Sequence, residues 1–388
     1  MGEQGLKFSI VNSITEIPYS GWQQLFDPEA IEGYAYQKTL EESGLKEFTF
    51  LYLIARRGEK IAAIIPLFFN YFSFTTLVDG FFKKFILSVQ KIFPRLFRMK
   101  LLFVGSPTAE EIYLGLSKEE KLEPLMSEAL KQLYAYSKKN KIGLLLFYNL
   151  SAGNKTLSDC LKKNGFAQME GFPNTRITIK AKSLEDYING LGPSTRKDLR
   201  RKLRKSASLA ELKTEDLDSI SGIENDVYRL YRQNLEDSTV SFEDLTPEFF
   251  TNIFKNMAGV AKLFLIKEKD KIVSFNLCLI KNKTCIDKFI GFDREVSHKY
   301  HLYHVSFCHN IDYCIKNGIK TYQPGVTDYH PKVRLGAELI PLYYAIKAFN
   351  PLLNLFLKPA LKILEPKRYD PVLRELSQRK TGVISPKS

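Results

Sequence analysis

All five histidines of this 388-residue chain, His298, His301, His304, His309 and His330, fall within 33 residues, with Cys308 and Cys314 among them. On a helix His301, His304 and Cys308 stand at i, i+3 and i+7 and share one face. A zinc site needs three or four such ligands. No further close-spaced Cys/His pair and no His-x-Glu accompany these, so no metal is expected. The alternatives are a polar helix facing a pocket, or histidines at the margin of a core formed by Phe307, Ile311 and Ile315. Lys332 follows a strand pattern and is flanked by His330 and Arg334. A fixed ammonium there suits an oxyanion or a phosphate, and one oxyanion contact is typically worth about 3–4 kcal/mol; the ordinary reading is a solvated loop lysine. In the run STRKDLRRKLRKS, Arg196, Lys197, Arg200, Arg201, Lys202, Arg204 and Lys205 stand against one acid, Asp198. It suits a phosphate-bearing donor, RNA or lipid headgroups as well as a solvated face. RNA-module signatures with paired aromatics are absent, and so are the nucleophile elbow and triad order of a serine hydrolase.

Two hairpin patterns supply the scaffold. FLYLIARRGEKIAAIIPL (50–67) reads strand, charged turn, strand, with Arg56 to Lys60 at the tip; KLFLIKEKDKIVSFNLCLI (262–280) repeats the plan, with Lys267 to Lys271 at the tip. A Lys-Ile step, Lys60-Ile61 or Lys271-Ile272, opens each returning strand. Each hairpin is followed by a helix and a further strand: LEPLMSEALKQLYAYSKKNK before IGLLLFYNL, and YHLYHVSFCHNIDYCIKNG closed by Gly318. This order predicts a duplicated unit. The expected domains are residues 1–181 and 182–377, with 378–388 a loose polar tail. The fold class expected is α/β, with mixed twisted sheets and flanking helices.

Composition bounds the partners. Lys and Arg number 57 against 43 acids, a formal charge of +14, which attracts polyanions without choosing among them. Five cysteines without a C-x-x-C pair read as reduced, buried thiols. MGEQGLKFSI lacks a secretory pattern, and Leu6 stands where a myristoylation motif needs Ser or Thr, so a cytoplasmic location is expected. Ile61 to Val78 carries no charge, but Pro66, its polar residues and its β-branched and aromatic content suit strands better than a membrane span. Residues 80–100, GFFKKFILSVQKIFPRLFRMK, set Phe82, Phe85, Ile86, Val89, Ile92, Phe93 and Leu96 on one helical stripe, with Lys83, Lys84, Lys91, Arg95 and Arg98 on the other side and no acid in the segment. That pattern belongs to a helix lying in an anionic membrane interface or covering a core, and residues 349–368 form a second candidate.

The helix–Asn-Gly-Phe–strand ending of the first half (161–180) resembles the end of GNAT-type acyltransferase domains. Residues 291–344 resemble the tandem-GNAT, FemAB-like superfamily through Gly291-Phe292-Asp293, the helix after it, Tyr322-Gln323-Pro324-Gly325, and Lys332-Val333-Arg334-Leu335-Gly336. The last is similar to the Lys-x-x-hydrophobic-Gly element of Fem ligases, whose lysine sits in the acyl-transfer site. The resemblance implies two tandem GNAT-like domains with a cleft near their junction. It implies acyl transfer to an amine in the second domain and an acceptor site shaped by the first. The donor expected is a thioester, acyl-CoA or acyl carrier protein. Because Arg294 to Tyr303 lacks the glycines that hold a CoA pyrophosphate, aminoacyl-tRNA is the alternative, with a cell-wall or lipid precursor as acceptor. A non-catalytic membrane-surface protein is the other alternative. For this chemistry Lys332 supports the oxyanion, and Asp293, His301, His304 and Asp328 are candidate bases. Tyr322 is a candidate leaving-group acid, and His301, His330, Arg334, Arg196, Lys197 and Arg200 are candidate substrate contacts.

Overall fold

The computed structural model describes residues 5–71, 100–237, 243–326, 328–368 and 370–380. Apolar, β-branched runs form the strands, and Gly, Asn or Pro end most helices. The chain opens with β1 (Leu6–Val11), α1 (Tyr19–Leu25), α2 (Tyr34–Glu42), β2 (Phe48–Arg57) and β3 (Lys60–Tyr71). It continues through β4 (Lys100–Val104), β5 (Gly115–Leu116), α3 (Leu122–Lys139), β6 (Ile142–Ser151), α4 (Lys155–Lys163), β7 (Ala167–Glu170) and β8 (Asn174–Thr178). The second half begins with α5 (Leu184–Gly190), α6 (Pro193–Leu209), β9 (Leu212–Leu217), α7 (Glu224–Asp237) and α8 (Pro247–Asn256). There follow β10 (Ala261–Glu268), β11 (Lys271–Lys281), β12 (Thr284–Phe292), α9 (Leu302–Lys316), β13 (Thr321–Gln323), α10 (Tyr329–Arg334) and β14 (Glu338–Ile340). The last elements are β15 (Leu342–Ala348), α11 (Pro351–Leu364) and α12 (Pro371–Lys380).

The expected hairpins are present, and they match residue for residue. In β2–β3, Ala55 faces Ala63, Arg56 faces Ile61 and Arg57 faces Lys60, with a register shift between Ala55 and Arg56. In β10–β11, Ile266 faces Ser274, Lys267 faces Ile272 and Glu268 faces Lys271, with the shift between Ile266 and Lys267. Each turn opens on a residue with positive φ, Gly58 at 61° and Lys269 at 55°, the geometry that joins twisted strands tightly. One bulge at one offset in both halves is strong structural support for a duplicated unit.

The first unit comprises residues 1–37, 45–173 and 341–388, and the second 38–44 and 174–340. The first unit's sheet runs β1-β2-β3-β4-β6-β15-β7, with β5 beside β3. Its core joins Leu53, Leu67, Leu102 and Phe147 to Met126, Leu130 and Leu133 of α3. The second sheet runs β14-β8-β13-β12-β11-β10-β9, packed on Leu199 of α6 and on Phe307, Ile311 and Cys314 of α9. All five cysteines are buried and free.

Compared with the expected 1–181 and 182–377, residues 38–44, the segment from 174 that carries β8, and the segment from 341 that carries β15 change sides. β8, the last strand of the first half, pairs with β13 and β14, and β15 inserts between β6 and β7. Each sheet is completed by a strand from the other half of the sequence. α12 runs through Lys380, while the rest of the expected tail, 381–388, lies outside the described residues, as do residues 80–99 of the first amphipathic segment. The uncharged run from Ile61 enters β3. No helix among the described residues is long and apolar enough to cross a membrane.

Candidate active site

In the second unit β12 and β13 are parallel and stay paired only from Thr284–Thr321 to Ile286–Gln323. Asp287 is the next residue on β12. A bulge inserts Lys288 there, because Leu277 faces Phe289 while Cys278 faces Asp287. Such an extra residue re-aims its neighbours, and Asp287 lies inside the fold, 9% exposed. Its Oδ2 accepts from Tyr322 Oη at 2.8 Å, Asn276 Nδ2 at 2.7 Å and Asn310 Nδ2 at 3.2 Å. Asn310 also donates to Tyr322 Oη at 3.0 Å, and Ser306 donates to Asn276. Burial pushes the Asp287 carboxyl up to about 6, against the pull of the Tyr322 and Asn276 hydrogen bonds and the Lys332 charge. Asp287 Oδ1, Asn310 Oδ1 and Tyr303 Oη are buried without a hydrogen-bond partner among the described residues. Buried polar atoms are normally paired, and two of these three, on Asp287 and Asn310, belong to side chains that are hydrogen-bonded to each other through their other atoms.

Lys332 is buried on α10, and its Nζ donates to the carbonyls of Gly325 at 3.1 Å and Val326 at 2.9 Å. Gly325 has φ of +80°, and a Cβ there would stand 3.3 Å from the Asp287 carbonyl and 3.9 Å from Lys332 Nζ. The lysine, the glycine and the Asp287 backbone therefore form one packed group. Thr175 on β8 also donates to the Gly325 carbonyl.

The Lys332–Gly336 element is the last turn of α10. Ala337 N–H reaches the Lys332 carbonyl at 2.9 Å and Gly336 N–H the Val333 carbonyl at 3.1 Å, a Schellman closure with Gly336 left-handed at φ +99°. The glycine is needed for backbone reasons, and closing the turn sets the direction of Lys332. Gly336→Ala is expected to cost about 1–2 kcal/mol of stability through the left-handed penalty, measured as a lowered thermal midpoint; an unchanged midpoint would contradict it.

A second cluster involves three of the expected residues, His301, His304 and Arg334, with Lys202 and Asp198 of α6. His304 Nε2 lies 3.0 Å from Lys202 Nζ, and Lys202 pairs with Asp198 at 2.9 Å. Arg334 lies 3.9 Å from Asp198 and is otherwise exposed. Burial and then Lys202 push His304 down to about 4, and burial with Lys205 and Lys202 lowers His301. Both rings are thus neutral at pH 7, and His304 accepts its bond from Lys202. His301 sits at the start of α9 with φ 52°, its Nε2 unpaired among the described residues. No metal-binding group of His, Cys, Asp and Glu occurs among the described residues.

Other expected residues are placed apart. Asp293 closes the far end of β12, six residues or about 20 Å along the strand from Asp287. It is clamped by Lys271 at 2.9 Å and Arg229 at 3.5 Å. Burial opposes its charge, but Lys271, the Glu295 N–H and Arg229 outweigh that and lower its pKa; such a carboxylate is a poor base. Arg196 donates to the Asn189 carbonyl, and Arg200 bonds Glu185 and Asn189, so both hold α5. Lys197, His330 and Asp328 are exposed. Tyr322 is fully buried with its hydroxyl committed to Asp287, which positions that carboxylate. Sequence reasoning missed Asp287, Asn276, Ser306 and Asn310. The available signal was polar residues interrupting apolar registers, as in SFNLCLI and CIDKFI.

The FemAB-like family model, described as peptidoglycan biosynthesis/recognition, matches residues 13–347. Among solved structures, FemX aligns with a TM-score of 0.53 and 13% identity over 90% of this chain and 100% of its own. A tandem GNAT protein from the clavulanic acid biosynthesis pathway aligns at 0.53 and 11%, over 89% and 99%. The C-terminal domain of a provisionally named lysylphosphatidylglycerol synthetase from Agrobacterium fabrum aligns at 0.50 and 12%, over 90% and 96%. These likenesses are of fold. A Mycobacterium tuberculosis protein whose name provisionally assigns 8-amino-7-oxononanoate synthase activity is 23% identical over 323 residues, 81% of this chain and 42% of that protein. The chain thus spans less than half of the curated relatives it matches, and the activity in their name does not pass to it. The matched residues place this chain in the FemAB-like family, and its two mixed α/β units have the tandem GNAT fold.

Proposed function

We propose that this chain transfers an acyl or aminoacyl group from a polyanionic carrier to an amine, with Asp287 as general base. The observation that carries the reading is a buried carboxyl titrating near 6, fixed by Tyr322, Asn276 and Asn310 where β12 and β13 part, with Lys332 close enough to lower its pKa. The amine nitrogen attacks the acyl carbon, and the carbonyl electron pair moves to oxygen. Asp287 takes the amine proton as the new C–N bond forms. Collapse of the intermediate breaks the bond to the carrier, and the proton passes to the departing oxygen or sulfur. A carboxylate titrating near 6 is ionised at pH 7 and still basic enough to act. Lys332, held by two carbonyls, offers a charge already in place for the oxyanion, which is where preorganisation contributes most.

A carrier held by surface charge fits better than a CoA held through its pyrophosphate. In GNAT folds that phosphate site is a set of open amides before the helix. Here Val296, Ser297, Tyr300, His301, Leu302, His304 and Val305 all spend their N–H groups on carbonyls within residues 293–301. On α6, Lys197, Arg201, Arg204 and Lys205 recur at i, i+4, i+7 and i+8 and are exposed. Aminoacyl-tRNA is the donor this reading places first, in keeping with the family, and an acyl carrier protein thioester comes second. Lys197→Glu/Arg204→Glu/Lys205→Glu is expected to weaken aminoacyl-tRNA binding more than about tenfold at low salt and to flatten the slope of affinity against salt. Titration of aminoacyl-tRNA, acyl carrier protein and acyl-CoA across a salt series measures this. Unchanged affinity for both macromolecular donors would leave α6 a solvated face and return acyl-CoA to the front.

A further inference from the structure

α11 is apolar on two sides. Asn350 caps it by accepting from the N–H groups of Leu352 and Leu353, and Pro351 starts its first turn. One side buries Leu361 and packs toward β7 and β15 of the first unit. The other side presents Leu352 at 71% exposure, Leu355 at 71%, Phe356 at 65% and Ile363 at 44%. Positions 352, 355, 356, 359 and 363 recur at three- and four-residue intervals, so they form one stripe along the helix. Seven large hydrophobic side chains are exposed among the described residues, and four of them are here. A contiguous apolar stripe of this kind marks an interaction surface rather than ordinary scatter.

The polar residues around the stripe indicate its partner. Lys358 and Lys362 are exposed on α11, and residues 349–364 contain no acid. We propose that α11 docks on the surface of an anionic lipid bilayer. Leu352, Leu355, Phe356 and Ile363 enter the interface, and Lys358 and Lys362 lie against headgroup phosphates. A second copy of the chain fits less well, because a two-fold contact through this stripe brings four lysines around an apolar seam with no acid to offset them. The helix lies in the plane of the surface. Its 14 residues reach about 21 Å, short of the ~30 Å hydrocarbon layer.

The test uses the full chain and does not depend on the reaction. Wild type, Leu355→Ser/Phe356→Ser and Lys358→Glu/Lys362→Glu are cosedimented with vesicles of phosphatidylcholine alone or with about 30% phosphatidylglycerol. The same proteins are examined by sedimentation velocity without lipid. The substituted side chains are exposed, so the variants should keep the wild-type thermal midpoint. The expected result is a monomer that binds the anionic vesicles at least about tenfold more tightly than the zwitterionic ones, with each variant losing about tenfold or more. Three results would overturn the proposal: a wild type that ignores anionic vesicles at low salt, a serine variant that binds as well as wild type, or a wild-type dimer that the serine variant converts to monomer.

Discussion

Asp287→Asn is expected to lower kcat about 1,000-fold, within the range that a positioned general base contributes, while the protein at pH 7.5 becomes no less stable. Asparagine keeps one acceptor oxygen for Tyr322, Asn276 and Asn310, removes the charge and turns the other oxygen position into an N–H donor. The stability half follows from linkage. A carboxyl raised to about 6 in the fold from 3.8 in an open chain binds its proton more tightly when folded. Its contribution is complete below 3.8 and is lost as pH rises through 6, which leaves the ionised group costing about 3 kcal/mol at pH 7. Removing that charge should therefore leave the thermal midpoint level or raise it. Steady-state kinetics and a melting curve together decide the matter. A large loss of activity with a large drop in midpoint would make Asp287 a structural residue, and a wild-type rate would exclude it as the base.

Lys332→Met is the second large effect, a fall in kcat of about 100-fold or more with KM little changed. Methionine fills similar volume without the ammonium, so the transition state loses its fixed charge, and the carbonyls of Gly325 and Val326 lose a donor. A further readout separates an electrostatic role from simple packing. Lys332 helps to hold the Asp287 pKa down, so the acidic limb of the rate profile should move to higher pH in the variant. Wild-type rates in folded Lys332→Met would remove the lysine from the mechanism. A rate loss with an unmoved limb would separate it from Asp287.

Lys332 was legible because a short chemical motif is also a local backbone device, a helix turn closed by Gly336. The hairpins were legible for a similar reason: a two-residue turn and its bulge are fixed by adjacent residues, so the Lys-Ile steps revealed both copies. Asp287 was not. Its partners come from positions 276, 310 and 322, on β11, α9 and β13, and only the packed fold brings them together. Asp293, beside a recognisable motif, is one of four unranked candidate bases in the sequence, and its ion pairs with Lys271 and Arg229 exist only in the fold. The exchange of β8 and β15 was hidden because each reads as an ordinary strand, and nothing local states which sheet it joins. The basic helix showed its charge but not its two faces: Arg196 and Arg200 hold α5, while Lys197, Arg201, Arg204 and Lys205 remain outward.

The central claim is that Asp287 accepts the amine proton during transfer from a carrier. Single-turnover transfer of a radiolabelled aminoacyl group from tRNA to an amine, followed from pH 5 to 8 in wild type and Asp287→Asn, tests it most directly. The account predicts an acidic limb near pH 6 in the wild type, superimposed on the ionisation of the amine itself, and only the amine's ionisation in the variant. An identical limb near pH 6 in Asp287→Asn would contradict it.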